Sequence, residues 1–358
     1  MHPMHHSPGS SAIPAQLFSS SLFPEATGLT RLRLQPGHCL ALIGPGGPDT
    51  LMQDILSGFL SSPPMQEQAR KTILVSAALP LLPSLTIREN IALPLRGTAT
   101  ERRSRVSHSL ALTGLDSAAD LKPADLPPSS RLLATCARAL ACSPAMIVLN
   151  TPFAGMDFTT RHDLCARLDR LRQACGVSLL LLTGERDEAL LLGQRIGILS
   201  HDTLLQEGTA EELFNRPDSA AVATGFGEAN LLRGIVLDTE DDIARIRLAA
   251  GPEVEAIATP GLQPGQLADL CIRPGRITPV FVSGTDDDPD EGSLPAVLTG
   301  ARMLPDVLRL RFRLPDGTEV IADRPALLST RGFDPGRRAR LAWQTGAASA
   351  FPSGTDQG

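Results

Sequence analysis

The sequence predicts an α/β domain built on a mostly parallel sheet, followed by a second, small all-β domain. Three observations carry that reading. The stretch Leu40–Phe59, LALIGPGGPDTLMQDILSGF, runs from an apolar strand through a glycine turn into a helical pattern. Short apolar runs at Met146–Leu149, Val177–Leu182 and Ile196–Leu199 alternate with helical stripes, the pattern of buried parallel strands and their crossovers. Past about residue 227 the period changes to short strands split by Pro-Gly and Asp-Gly turns.

In chain order, residues 1–27 are rich in Ser, Pro and Gly and read as an irregular tail. Leu29–Leu34 fits an edge strand, and Pro36-Gly37 turns it into the strand His38–Ile43. The helix after the glycine turn presents Leu51, Ile55 and Phe59. Thr72–Ser76 is the next strand. Thr86 and Glu89 have capping-box spacing and open a short helix. Arg102–Leu112 and Ser129–Cys142 are amphipathic helices, the second with Leu132, Cys136 and Leu140 on one stripe. Met146–Leu149 delivers Asn150 and Thr151 to the carboxyl edge of the sheet. The helix after it carries Leu164, Leu168, Leu171 and Cys175 inward. Strand Val177–Leu182, a helix through Glu188–Leu192 and strand Ile196–Leu199 complete the domain, residues 28–227. Residues 228–350 read as a barrel of short strands, with an acidic loop at 285–292 and a tail at 351–358.

Composition narrows the function classes. The 358 residues suffice for two domains with their own cores, and 42% hydrophobic content is globular. Net charge is −6, and no basic block suggests nucleic acid. The six cysteines show no ligand-like spacing and read as buried thiols in a reducing compartment. No apolar stretch reaches membrane-spanning length, and the N-terminus lacks a signal-peptide pattern.

Strand, glycine turn and helix form the setting in which backbone N–H groups cradle a phosphate. Gly44, Gly46, Gly47 and Thr50 are the candidate anion-binding residues. The pattern GxxxxGK[ST] is absent: Pro48 has no N–H to donate, and Asp49 stands before Thr50 where lysine is required. The turn serves either as a remnant cradle or only as a tight connection.

With Gly44-Pro45, Thr86–Asn90, Ala137–Leu140, the segment Gln206–Pro217 and Leu270–Pro274 in this order, the chain resembles the ATPase subunit of bacterial ABC importers. The likeness is to the polyamine, iron and aminoethylphosphonate branch with a C-terminal TOBE-type domain. It implies a P-loop NTPase-like ABC nucleotide-binding domain followed by a TOBE/OB-like β domain. Placed residue by residue, the phosphate-loop lysine falls on Asp49 and the magnesium-binding hydroxyl on Thr50. The sensing glutamine falls on Ala77 and the signature on Leu126–Ser130. The Walker B aspartate falls on Asn150, the catalytic glutamate on Thr151 and the switch histidine on Gly184, while the D-loop aspartate remains as Asp157. An aspartate in place of the lysine reverses a charge interaction of about 4 kcal/mol at ~4 Å and an effective dielectric near ~20. Asn150 cannot neutralise Mg²⁺, and Thr151 has no basic group.

The resemblance thus implies no catalytic residue and no metal ligand, with ATP and Mg²⁺ as cofactors only if nucleotide binding is retained. Asn150 reads as a helix cap or a satisfied core amide, Asp157 as a local cap or a dimer contact, Arg273 as a buried ion-pair partner, and His38 as structural. The leading expectation is a pseudo-ATPase: a cytoplasmic, peripheral subunit that docks on permeases through Ala77–Arg88 and pairs with itself or another ATPase subunit. The alternatives are an active ATPase energising import of polyamine, iron or organophosphonate, and a soluble dimerising protein that senses a small anion through its β domain.

Overall fold

The computed structural model describes residues 34–44, 72–76, 79–200, 203–249, 251–282, 293–326 and 332–354. The chain forms two compact units that meet between Ala210 and Glu211. The expected helix at 51–59, the acidic loop 285–292 and the edge strand before Leu34 lie outside the described residues.

In the first unit, strands β1 (Cys39–Ile43) and β2 (Thr72–Ser76) precede helices α1 (Ile87–Ala92), α2 (Ala99–Thr113) and α3 (Pro128–Leu140). Then come β3 (Met146–Asn150), α4 (Phe158–Cys175), β4 (Ser178–Thr183), α5 (Arg186–Leu192), β5 (Arg195–Ser200) and β6 (Thr203–Gly208). The sheet order is β2-β3-β4-β1-β5-β6. The first five strands run parallel, and β6 returns antiparallel beside β5.

Every residue of β3 and β4 is buried, as their unbroken apolar runs require. Helices α1 and α2 both open with capping boxes, Thr86 with Glu89 and Thr98 with Glu101. Helix α2 stops at Gly114 and α4 at Gly176, each in the left-handed conformation that glycine tolerates best. Leu164, Leu168 and Leu171 of α4 are buried as the stripe predicts. Cys175 is not; the last turn of the helix carries it out to solvent.

The second unit has α6 (Ala210–Asn215, which begins at the boundary) and α7 (Ala220–Gly225), then β7 (Asn230–Glu240), β8 (Ile243–Leu248), β9 (Glu253–Ala258) and β10 (Leu267–Ile272). Strands β11 (Thr278–Phe281), β12 (Leu294–Met303), β13 (Val307–Arg313), β14 (Glu319–Pro325), β15 (Arg338–Ala342) and β16 (Ala348–Pro352) follow. Five of these strands close a barrel in the order β10-β16-β9-β8-β7, and the other five form an open sheet, β11-β15-β12-β13-β14. The all-β expectation holds, as two sheets. The two share one core, in which Ile246 and Leu270 lie in the same cluster as Leu310 and Phe312.

The compact units divide before the change of periodicity at residue 227. Ala220 and Ala223 of α7 pack on Cys271 and Phe351, so the helix belongs with the barrel it covers. Periodicity marks where helix gives way to strand; packing decides to which core a helix belongs. Strand β16 likewise runs through Phe351 and Pro352, which the sequence pattern assigns to a tail.

Asn230 ties the barrel to the open sheet. Its side-chain amide donates to the carbonyls of Ile272 (3.1 Å) and Ile321 (2.8 Å), and its Oδ1 accepts from the Ile321 amide at 2.7 Å. Asn230→Ala leaves these backbone groups without their partner and should cost about 2 kcal/mol. Denaturant unfolding of the full chain checks this; an unchanged midpoint refutes it.

Candidate functional site

The candidate site is the carboxyl edge of the parallel sheet. Strand register brings its members level: Ser76 lies opposite Asn150, Asn150 opposite Leu182, and Ile43 opposite Thr183. Gly44 follows directly. A Cβ built there would stand 3.0 Å from the Leu199 Cβ and 3.2 Å from its carbonyl oxygen, so close approach explains this glycine. Gly46, Gly47 and Thr50, with Pro48, Asp49 and Ala77, lie outside the described residues.

Asn150 is only 8% exposed, and its Oδ1 has no hydrogen-bond partner among the described residues. It is therefore neither a helix cap nor an amide satisfied on both sides, contrary to the sequence-based expectation. Such an orphaned oxygen costs about 1–3 kcal/mol. Thr151 has φ +40°, a strained conformation for a β-branched residue. Its amide donates to the Leu182 carbonyl at 2.9 Å, and its carbonyl accepts from Ala154 at 3.3 Å. The backbone thus bends sharply where β3 ends.

Beside this turn, Glu188 accepts from the Thr183 hydroxyl at 2.5 Å and faces Arg161 at 3.4 Å. Arg161 also donates to the Met156 carbonyl at 3.2 Å. Burial raises the Glu188 carboxyl above its usual range; the Thr183 hydrogen bond and the Arg161 charge oppose that rise. Gly184, next along, contributes no side chain. Asp157 caps α4, accepting from the Thr160 amide (3.0 Å) and hydroxyl (2.6 Å), as the local-cap reading expects. Those hydrogen bonds hold its carboxyl below the usual range.

The segment after β2 is held by two side chains. Asn90, fully buried, accepts from the Leu82 amide at 2.7 Å and donates to the carbonyls of Leu82, Leu85 and Thr86. Arg138 of α3 donates to the carbonyls of Leu79 (2.7 Å) and Pro80 (3.1 Å). Leu79, Leu82 and Leu93 nevertheless remain exposed. Sequence reasoning placed Asn90 in the helix start without seeing the clamp; its signal is an amide among the apolar residues Ile87 and Ile91. A cavity of about 270 Å³ lies between this segment, the ends of β2 and β3, and α3, lined in part by Ser76, Leu81, Thr135 and Thr151. The signature-like segment enters α3 through Pro127 and Pro128 with no side-chain cap.

The described strand ends offer the Asn150 oxygen and the Thr151 hydroxyl, neutral oxygens that a hard dication can take beside phosphate but that carry no charge to offset it. The Glu188 carboxylate is engaged by Thr183 and Arg161. No group of three or more His, Cys, Asp or Glu side chains suited to a metal occurs among the described residues.

In the second unit, Arg273 donates to Asn215 Oδ1 at 3.0 Å and its guanidinium lies 5.4 Å from the Phe214 ring centre. No carboxylate pairs with it among the described residues, so the ion-pair expectation is not met.

Comparison with known proteins adds the following. A family model described as the TOBE domain matches residues 270–351. The chain is 28% identical over 350 residues to the spermidine/putrescine import ATP-binding protein PotA 1 of Pseudomonas aeruginosa, covering 92% of each. It is 27% identical over 336 residues to the Fe(3+) ions import ATP-binding protein FbpC 1 of Rhizobium meliloti, covering 89% of each. Among solved structures it overlays on cbiO1 from Clostridium perfringens, part of the ABC transporter complex cbiONQ. That match has TM-score 0.47 and 18% identity, and it covers 52% of this chain and 82% of that one. The fold is an ABC ATPase-like α/β domain followed by a β-rich TOBE domain.

The Glu188 shift has a pH consequence. The folded chain holds this proton to higher pH than the unfolded chain, so the group's contribution to stability falls as pH rises from its unfolded value through its folded one. Glu188→Gln should flatten that slope, because the amide has no proton to lose. Unfolding free energies measured across the acid range check this; an unaltered pH slope refutes the assignment.

Proposed function

We propose that the chain is the ATP-binding subunit of an ABC importer of the polyamine- or iron-transporting branch. The observation that carries this reading is the alignment with import ATP-binding proteins through both units in order, over 92% of the chain. The match of the TOBE model to residues 270–351 supports it independently. On this reading the subunit pairs with another ATP-binding subunit and sits peripherally against a permease at the cytoplasmic face of the membrane. No described helix is long and apolar enough to cross one. Leu79, Leu82 and Leu93, exposed around a segment fixed by Asn90 and Arg138, suit the docking role expected of Ala77–Arg88.

Deleting the gene should abolish energised uptake of labelled spermidine, putrescine or ferric iron, with recovery on complementation. Undiminished uptake of all three refutes the assignment.

A second reading concerns turnover, and one observation favours it: Asn150, Thr151 and Gly184 present no free carboxylate or imidazole at the strand ends. Without a base or an anionic metal ligand, water activation loses on the order of 10²–10⁴-fold from the base alone. Purified protein should then show no Mg²⁺-dependent ATP turnover above a denatured control. Turnover that disappears in Thr50→Ala would refute impairment and leave the importer reading standing. Calorimetric titration with ATP, with and without Mg²⁺, separates weak binding from slow chemistry.

A further inference from the structure

We propose that the outer face of the open sheet in the second unit docks an extended acidic segment of another protein, one with carboxylates on either side of a small apolar side chain. Alternation along the strands defines that face. Leu294, Ala296 and Leu298 of β12 are buried, as are Leu310 and Phe312 of β13 and Ala339 and Leu341 of β15. Pro295 and Val297, Arg311 and Arg313, and Arg338 and Arg340 therefore turn outward. Register sets them out in columns: Arg338 lies opposite Val297, Val297 opposite Arg313, and Arg340 opposite Pro295. An apolar column on β12 thus runs between two arginine columns, about 10 Å apart at two strand spacings.

The charge pattern on this face differs from that on the rest of the unit. Elsewhere outward arginines meet carboxylates directly across the sheet: Arg245 and Asp238 at 2.6 Å, Arg247 and Glu253 at 2.8 Å, Arg309 and Asp323 at 2.9 Å. Opposite charges in register are how a sheet balances its own surface. Here the positions opposite Arg340 are Val280 and Pro295, and those opposite Arg311 are Gly300 and Ile321. Arg313 alone of the four faces an acid, Glu319, at 3.7 Å in solvent. The Arg311 and Arg338 side chains have no ion-pair or hydrogen-bond partner among the described residues. A groove of about 410 Å³ opens over the columns, lined in part by Pro295, Val297, Leu314, Arg313, Arg338 and Arg340, with no carboxylate in its lining.

The complement of this face is a chain segment. Side chains two apart on an extended segment share a face about 7 Å apart, the same spacing that separates Arg338 from Arg340 along β15 and Arg311 from Arg313 along β13. A segment Glu-x-Val-x-Glu laid along β12 sets its valine on Val297, which is 41% exposed, and sends its carboxylates to the arginines on both sides. Forked guanidinium donors match the paired oxygens of each carboxylate. Nucleic acid suits the face less well, because bases stack on outward rings. Phe312 is fully buried and Phe281 packs against it, their centres 6.2 Å apart. The inference stands apart from the importer reading, since it uses only residues of the second unit and its assay involves no uptake.

Fluorescence anisotropy of the labelled peptide Ser-Glu-Ser-Val-Ser-Glu-Ser titrated with the full chain tests it. Saturable binding is expected, weakened about tenfold in Arg338→Gln and in Arg311→Gln, each of which removes a charged donor. Both side chains are exposed, so these variants should keep the wild-type unfolding midpoint and report on binding alone. The same peptide with glutamine in place of both glutamates should not bind. No saturable binding of the acidic peptide overturns the proposal, and so does equal binding of the glutamine peptide. Binding unchanged in both arginine variants overturns it too, by placing the peptide elsewhere. Tighter binding of a single-stranded oligonucleotide, lost in the same variants, would replace the acidic segment with nucleic acid and overturn it as well.

Discussion

The level register of four parallel strands is the constraint on which the first unit depends. Strands buried on both faces can satisfy their backbone groups only through their neighbours. The pairings of β2 with β3, β3 with β4 and β4 with β1 therefore fix where each strand ends. Once they are fixed, Ser76, Asn150 and Thr183 stand on one edge, and the turns beyond them share one region. The Asn90 clamp, the Asp157 cap and the Glu188–Arg161 pair are local devices that hold what leaves this edge. Their energies differ in kind. Arg88 and Asp120 approach to 2.9 Å but are largely solvated and add little. Glu188 is buried and Arg161 half-buried, so the arginine charge makes the carboxylate tolerable.

Much of this was legible in the residues. Short unbroken apolar runs bounded by turns, such as SLLLLT, suit buried strands, and threonine three places before glutamate announces the start of α1. The same signal at Thr98 and Glu101 places the start of α2 earlier than its apolar stripe does. Strands β11, β15 and β16 give periodicity little to act on, because each is short and flanked by glycine, proline or charge. They are strands because neighbours pair with them, a tertiary cause that a local pattern does not carry.

The site was legible in a different way. Sequence spacing put Asn150, Thr151 and Gly184 at ends of elements, and the fold has them there. What spacing could not give is their satisfaction. Whether an asparagine is a cap, a bonded core amide or an orphan depends on atoms remote in sequence, and the Asn150 oxygen finds no partner among the described residues. Arg273 makes the same point in reverse: a half-buried arginine suggests a carboxylate, whereas the fold supplies a ring and an amide. Cys175 shows the limit of a stripe, which holds only while the helix stays against its core.

The barrel is closed by β16, which pairs antiparallel with β10 and parallel with β9. Thr259 reaches the carbonyl of Ala350 across 91 positions of chain. During synthesis, strands β7 to β10 therefore leave the ribosome as an open ribbon with two unpaired edges, and they stay so until the whole second sheet has been made. The first unit needs nothing from beyond its own boundary to complete its sheet and can close early. The two halves of one polypeptide thus live on different clocks, and the later one passes through a period of exposed strand edges in which a chaperone, or another nascent copy, has its opportunity.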